Sequence, residues 1–354
     1  MDLNTITPTV LVTGAAGWLG LSLVQALVRG LADHPDLATP FAGRVRCLVL
    51  PGQDTAALRK IGGAVEIVEG DVRNSGDCTR FCSGASGGIL LHVAGIIHPK
   101  SVKEFYSINL EGTKNLLAAA QEARLKRVVV MSSNSPIGCN PHRDHLFDEE
   151  SPYNPYMGYG RSKMLMELAV KEAQKAGQLE TVIIRAPWFY GPNQPARQAL
   201  FFQMIRDGKG PIVGDGLNPR SMAYTDNLAQ GILLAALVPK ANGEIYWIAD
   251  ERPYTMCEIM DTIERLLETE FGQNCAHKRM RLPGIAAAVA WVVDKSLQSL
   301  GLYHQKIHVL SEMNKTIACS VAKAKRELGF RPTVSLEEGM RRSLSWMEEN
   351  GQKL

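Results

Sequence analysis

Tyr159 and Lys163 stand four residues apart in a stretch of helical period, so both side chains leave the same helix face and can converge on one bound group. A tyrosine of ordinary pKa, near 10, is a poor base at neutral pH, but a neighbouring ammonium favours its phenolate. The pair therefore suits proton transfer to or from an oxygen atom. A second pattern lies near the start of the chain. Thr13-Gly14-Ala15-Ala16-Gly17-Trp18-Leu19-Gly20 follows the apolar run Val10–Val12 and opens directly into a helical pattern over Trp18–Arg29. Glycines at those places allow a tight turn and close approach of backbone to a pyrophosphate, held by the free N–H groups and positive dipole end of the next helix.

Elements that could position these groups alternate along the chain. Val10–Val12, Val45–Leu50, Val65–Val68, Ile89–Val93, Arg127–Met131 and Thr181–Ile184 read as six strands. Trp18–Arg29, Val102–Ala123 and Tyr156–Ala176 carry apolar residues at spacings of three and four and read as one-sided helices. This order implies βαβ units and an α/β fold: a Rossmann-type doubly wound parallel sheet with a smaller C-terminal α/β substrate-binding region. Beyond Arg185, Pro and Gly punctuate shorter elements, and Glu244–Ile248 reads as one more strand returning to the first sheet. The dinucleotide-binding domain is therefore expected over 1–185 plus about 221–250, and the substrate-binding region over about 186–220 and 251–354.

Composition excludes other classes. The 354 residues are 45% hydrophobic and 21% charged, far from the profile of a disordered chain, and the net charge of +3 leaves no nucleic-acid footprint. Seven irregularly spaced cysteines point to reduced thiols and a cytoplasmic setting. The N-terminal residues lack a basic region and a cleavage pattern, so no signal peptide is expected. The apolar run Leu282–Val293 stops at Asp294, short of the roughly 20 residues of a spanning helix, and leaves peripheral membrane contact open. His142/His145 and His304/His308 lack a third ligand nearby in sequence, and no metal is expected.

The glycine spacing, Asp71-Val72, His92-Val93-Ala94-Gly95, Asn109-Leu-Glu-Gly-Thr113, Ser132-Ser133, Tyr159-Gly-Arg-Ser-Lys163, Arg185-Ala-Pro-Trp-Phe-Tyr-Gly-Pro192 and Ser221–Leu228 occur in one order. In that order the chain resembles the extended short-chain dehydrogenase/reductases, in the branch of NAD-dependent epimerases/dehydratases and 3β-hydroxysteroid dehydrogenases. The resemblance implies a nicotinamide dinucleotide held by Gly14, Ala16, Gly17, Trp18, Leu19 and Gly20. It places Asp71 and Val72 at the adenine and Val93, Ala94 and Gly95 under the adenosine and pyrophosphate. Asn109, Met131, Ser132, Tyr159, Lys163 and Pro187 complete the implied cofactor set. NAD and NADP both stay open: Leu50-Pro51 stands where an acid or a base usually reads the ribose 2′ position. The missing base leans toward NAD, while Arg44 or Arg46 would reverse that.

The sequence also departs from the pattern. Asn134 occupies the place of the usual catalytic Ser or Thr, so Asn134 and Ser133 are expected to share the polarising role, with Ser135 a further candidate beside the substrate. Nucleotide-sugar enzymes commonly have an asparagine for the diphosphate where this chain has Trp188, which favours an apolar substrate. Arg220 stands at the spacing of their diphosphate-binding arginine and favours the opposite reading. With the apolar segment Leu282–Val293, which resembles an insertion of 3β-hydroxysteroid-type members, the balance is an NAD(P)-dependent secondary-alcohol dehydrogenase or ketone reductase. The alternatives are a nucleotide-sugar epimerase or dehydratase, and a cofactor-binding scaffold without catalysis. Phe189, Phe201, Phe202, Met222 and Trp291 are further candidates for the pocket wall. Helices 102–123 and 156–176 are the pair such enzymes use for dimerisation, so a homodimer is expected.

Overall fold

The computed structural model describes residues 3–62 and 65–354. Seven strands form one parallel sheet: β1 Thr9–Thr13, β2 Arg44–Val49, β3 Val65–Glu69, β4 Ile89–His92, β5 Arg127–Met131, β6 Glu180–Arg185 and β7 Ile245–Trp247. Their order across the sheet is 7-6-5-4-1-2-3, with reversal between β1 and β4. Open parallel sheets bind ligands at the carboxyl ends of the strands flanking such a switch point. The six strands read from the sequence agree to within one or two residues at each end, and the seventh joins the sheet beside β6.

Both sheet faces are covered, as an all-parallel sheet requires. Helices α1 Trp18–Arg29, α2 Ser75–Cys82, α3 Gly112–Glu122, α4 Met157–Lys175, α5 Ala196–Arg206 and α6 Thr225–Leu237 follow in chain order. Along β1 the side chains alternate: Val10 and Val12 join a core with Leu23, Leu27 and Leu233 of α1 and α6. Leu11 faces the opposite core with Phe81, Leu116 and Met166 of α2, α3 and α4. The segment expected as one helix from Val102 to Ala123 is not uniform. Phe105–Glu111 is a wider turn with i→i+5 bonding before α3 begins, a form often found at functional sites.

A second core lies in the C-terminal region, where Phe202 and Ile205 of α5 meet Ile259, Met260 and Ile263 of α7 (Met256–Thr269) and Met340 and Leu344 of α10 (Leu336–Glu349). Between α7 and α10 come α8, Ile285–Ser299, and α9, Gln305–Glu312. The strand Met222–Tyr224 joins the two cores: Ala223 packs into the sheet core, Met222 and Tyr224 into the second. The sheet's far side is tied by a buried ion pair. Arg185 at the end of β6 donates from Nε and Nη2 to Glu167 of α4, at 3.1 and 2.8 Å. Among the described residues no helix is long and apolar enough to cross a membrane.

Removing one partner of a buried pair strands the other charge, which typically costs about 3–5 kcal/mol. Arg185→Met is therefore expected to lower the urea-unfolding free energy by about that amount. Arg143→Ala, which breaks a pair with Asp215 exposed on both sides, costs under about 1 kcal/mol.

Candidate active site

The glycine turn follows β1. Gly14 has φ +67°, and a Cβ there would sit 2.8 Å from the Ala94 backbone; only glycine lets this turn lie against the end of β4. The N-terminus of α1 has no side-chain cap, so its free N–H groups and dipole face a turn bare of side chains, a setting that fits a diphosphate. Ala16 and Gly17 line this turn half-buried, while Leu19 and Gly20 are buried beneath it. The indole of Trp18 is already committed: Nε1 donates to the carbonyls of Pro192 and Gly191 at 2.8 and 3.2 Å, and its ring lies 4.9 Å from that of Phe189. It fastens the turn to the second region.

A chain of buried hydrogen bonds runs from this turn to α4. Thr13 Oγ1 is 2.7 Å from His92 Nδ1, and His92 Nε2 is 2.9 Å from Thr113 Oγ1. Burial pushes the His92 pKa down to about 3, so the ring is neutral and passes one proton's direction along the chain. Thr113 Oγ1 donates to the Asn109 carbonyl, and Asn109 Nδ2 donates to Ser162 Oγ at 3.1 Å and to the Ile96 carbonyl. Ile96 N–H returns a bond to Asn109 Oδ1 at 2.9 Å. Asn109 thus clamps the loop after Gly95, with its side chain fully engaged. His92, Thr113 and Ser162 lie within motifs legible in the sequence, but nothing there marks their mutual bonding.

Tyr159 and Lys163 are both buried on the inner face of α4. Lys163 Nζ donates to the Met131 carbonyl at 2.8 Å and lies beside Gly95, where an added Cβ would sit 3.4 Å away. Ser133 is within hydrogen-bond reach of the Tyr159 hydroxyl, and Ser133 Oγ is 3.4 Å from Ser135 Oγ and 3.3 Å from Asn134 Oδ1. Gly160 makes this closeness possible, since a Cβ there would lie 2.4 Å from the Ser135 carbonyl oxygen. Ser132 turns the other way and donates to Glu167 at 2.6 Å. Of the expected trio, Ser133 touches Tyr159, Ser135 adjoins Ser133, and half-buried Asn134 contributes its backbone N–H to the Ala186 carbonyl.

Electrostatics depart from the sequence expectation. Burial, opposed by the Ser133 hydrogen bond, pushes the Tyr159 pKa up to about 12, and Lys163 is not among the groups that shift it. Burial pushes the Lys163 pKa down to about 8, against the pull of Glu167. In this arrangement the phenol is a proton donor at neutral pH.

At the end expected for the adenosine, the Asp71 carboxylate is paired with Arg73 through Nε at 2.9 Å, which holds its pKa below the usual range. The side chain of Val72 packs under Gly112 and its carbonyl takes Asn115. Arg46 is consumed by Glu66 at 3.0 Å and by the carbonyls of Phe81 and Ser83. Arg44 begins β2, level with Thr9 at the amino ends of the strands and away from the glycine turn. Half-exposed Leu50 remains at the reading position.

On the substrate side, Trp188 lies on a short strand beside Met222–Tyr224, its ring 5.5 Å from Phe201; Pro187 is buried just before it. Phe202 and Met222 are core residues, and Trp291 points outward at the surface, so these three do not line a pocket. Arg220 Nη1 donates to the Glu312 carbonyl at 3.0 Å. Burial lowers its pKa, opposed by Glu312. Sequence reasoning missed the roof: α8 and α9 fold back over α4, with Gln298 Oε1 accepting from Gly158 N–H at 2.9 Å and Tyr156 OH 2.7 Å from Ser311 Oγ. Phe105 bridges the rings of Tyr159 and Tyr303 at 5.7 and 5.5 Å.

Comparison with known proteins places this geometry. Residues 10–249 match the model of the NAD dependent epimerase/dehydratase family, and the chain belongs to that family. It is 56% identical to an uncharacterized protein of Sinorhizobium fredii, over 98% of this chain and 96% of that one. It is 28% identical to 3beta-hydroxysteroid-dehydrogenase/decarboxylase isoform 1 of Arabidopsis thaliana, over 97% of this chain and 80% of the relative. Among solved structures it resembles the dTDP-glucose 4,6-dehydratase DesIV from Streptomyces venezuelae with NAD bound, at TM-score 0.75 and 27% identity, covering 97% of each chain.

Because folded Lys163 titrates near 8 and an ordinary lysine near 10.5, the unfolded chain binds more protons between those values. Stability from this group therefore rises with pH across that window. Denaturation profiles are expected to show a rise from about pH 8 to 10.5 that Lys163→Met flattens relative to the parent.

Proposed function

We propose that the protein is an NAD-dependent dehydrogenase that oxidises a secondary alcohol, or reduces the matching ketone, on a largely apolar substrate. The observation that carries this reading is aromatic lining in two places. Trp188 stands against Phe201 where nucleotide-sugar enzymes commonly carry an asparagine, and the Phe105–Tyr303 rings roof Tyr159. Similarity to the Arabidopsis hydroxysteroid dehydrogenase along nearly the whole chain supports it. Bound NAD would supply the hydride acceptor. The uncapped start of α1 would hold its diphosphate, and Lys163 would take a ribose hydroxyl. NAD is favoured over NADP because no free base stands at the end of β2.

Tyr159 performs the proton transfer. In reduction its neutral phenol, with a pKa raised by burial, protonates the nascent alkoxide, and Ser133 donates to the phenolate left behind; in oxidation that phenolate accepts the hydroxyl proton and returns to the phenol. Ser133 rather than Asn134 takes the larger polarising share, because it is the one in contact with Tyr159. Ser135 supports it, and Asn134 and Arg220 border the substrate. The nucleotide-sugar epimerase or dehydratase reading rests on Arg220, whose guanidinium is partly engaged by Glu312. The protein is further proposed to work as a cytoplasmic homodimer through 102–123 and 156–176, where Leu168 of α4 is exposed; light scattering at micromolar concentration is expected to give twice the chain mass.

Turnover tests the reading. With a panel of apolar secondary alcohols, net NADH is expected to form, and Tyr159→Phe should lower kcat by about 10² to 10⁴ with NAD binding retained. Ser133→Ala is expected to cost more than Asn134→Ala. Epimerised sugar nucleotide without net NADH would overturn the proposal.

A further inference from the structure

Helix α8 is built inside out. Its buried stripe, Ala287, Ala290, Asp294 and half-buried Gln298, is small and polar. Its outward stripe is apolar: Ile285 is 69% exposed, Val289 and Val292 57% each, and Leu300 just beyond the helix 75%. A helix on a water-facing surface has the opposite arrangement, apolar in and polar out. The inner polar groups have partners. Asp294 Oδ2 is 2.7 Å from His308 Nδ1, and Asp294 Oδ1 accepts from Gln298, which also holds the start of α4. The inward face is thus fixed by its bonds, and the exposed apolar face cannot be relieved by rotating the helix.

Charge tells what meets that face. Between Glu270 and Glu312 the chain carries Lys278, Arg281, Lys295 and Lys306 besides Arg279, which is paired with Asp261 and Glu264, and the single acid, Asp294, is buried against His308. Lys295 lies with Nζ 4.9 Å above the ring of Trp291, an aromatic and a snorkelling lysine side by side at the edge of the apolar stripe. A second copy docked by two-fold symmetry would set this basic fringe against itself. An anionic bilayer surface complements both the apolar stripe and its positive border.

We propose that the α8–α9 hairpin is an interfacial membrane-docking element, which lays the outward face of α8 into the headgroup region of an anionic bilayer. The same hairpin roofs Tyr159 from its inner side, so docking would set the mouth of the site at the lipid surface. The proposal does not depend on the identity of the substrate.

Co-sedimentation of the full-length protein with vesicles tests it. Binding is expected to vesicles of phosphatidylcholine containing phosphatidylglycerol, and about tenfold weaker binding to phosphatidylcholine alone. The double variant Val289→Asn, Val292→Asn should lose at least about tenfold in partitioning, while its circular dichroism and NAD binding stay those of the parent. Emission should shift to the blue on addition of anionic vesicles, and Trp291→Phe should remove most of that shift. Absence of binding to either vesicle would overturn the proposal, as would undiminished binding by a folded double variant. A dimer in light scattering that this variant dissociates, without vesicle binding by the parent, would assign the face to a second copy instead.

Discussion

The buried pair of Glu167 and Arg185 is the constraint from which the rest of the site hangs. Two charges taken out of water are costly unless every lone pair and proton finds a partner. Here Glu167 accepts from Arg185, Ser132 and Tyr153, while Arg185 also lies over the rings of Tyr153 and Trp247. These partners come from α4, β6, the loop after β5, the segment before α4, and β7. Satisfying one pair of charges therefore fixes the height and rotation of α4 against the carboxyl ends of three strands. Lys163 and Tyr159, about one and two turns earlier on that helix, inherit their positions from it.

A second set of bonds fixes the opposite wall. Thr13, His92, Thr113, Asn109 and Ser162 form a relay from the glycine turn to α4 without a formal charge. Such a network costs little desolvation and is sensitive to the loss of any member. Between the clamp and the relay stand Tyr159, Lys163 and Ser133, on which the proposed chemistry rests. The C-terminal hairpin then covers them from above with Phe105, Tyr303 and Gln298 contacts. Its outer face is left apolar because its inner face is occupied with polar bonding.

Much of this was legible in the residues. The succession of strands along the chain, the glycine turn and the Tyr159–Lys163 spacing depend on local period and backbone freedom, which a sequence displays directly. The wide turn at Phe105–Glu111 was not legible, because a helical pattern and one with an extra residue per turn differ little over seven positions. The direction of the Tyr159 shift is hidden for a different reason: a cation is visible four residues away, but the burial that raises the pKa comes with Phe105 and the hairpin, far off in sequence. A large apolar residue such as Trp291 reads as a pocket wall in the sequence; only the polar inner stripe of α8, committed to His308 and Gly158, shows why it faces out.

The central claim is that this site takes a dinucleotide and an apolar alcohol or ketone rather than a nucleotide sugar. Isothermal titration of the purified protein with NAD, NADP, UDP and UDP-glucose tests it most directly, with Tyr159→Phe as a control of integrity. The account predicts heat of binding for NAD, weaker for NADP, and none for either uridine nucleotide. Tight UDP or UDP-glucose binding would contradict it, and would show Arg220 to outweigh Trp188 in choosing the substrate.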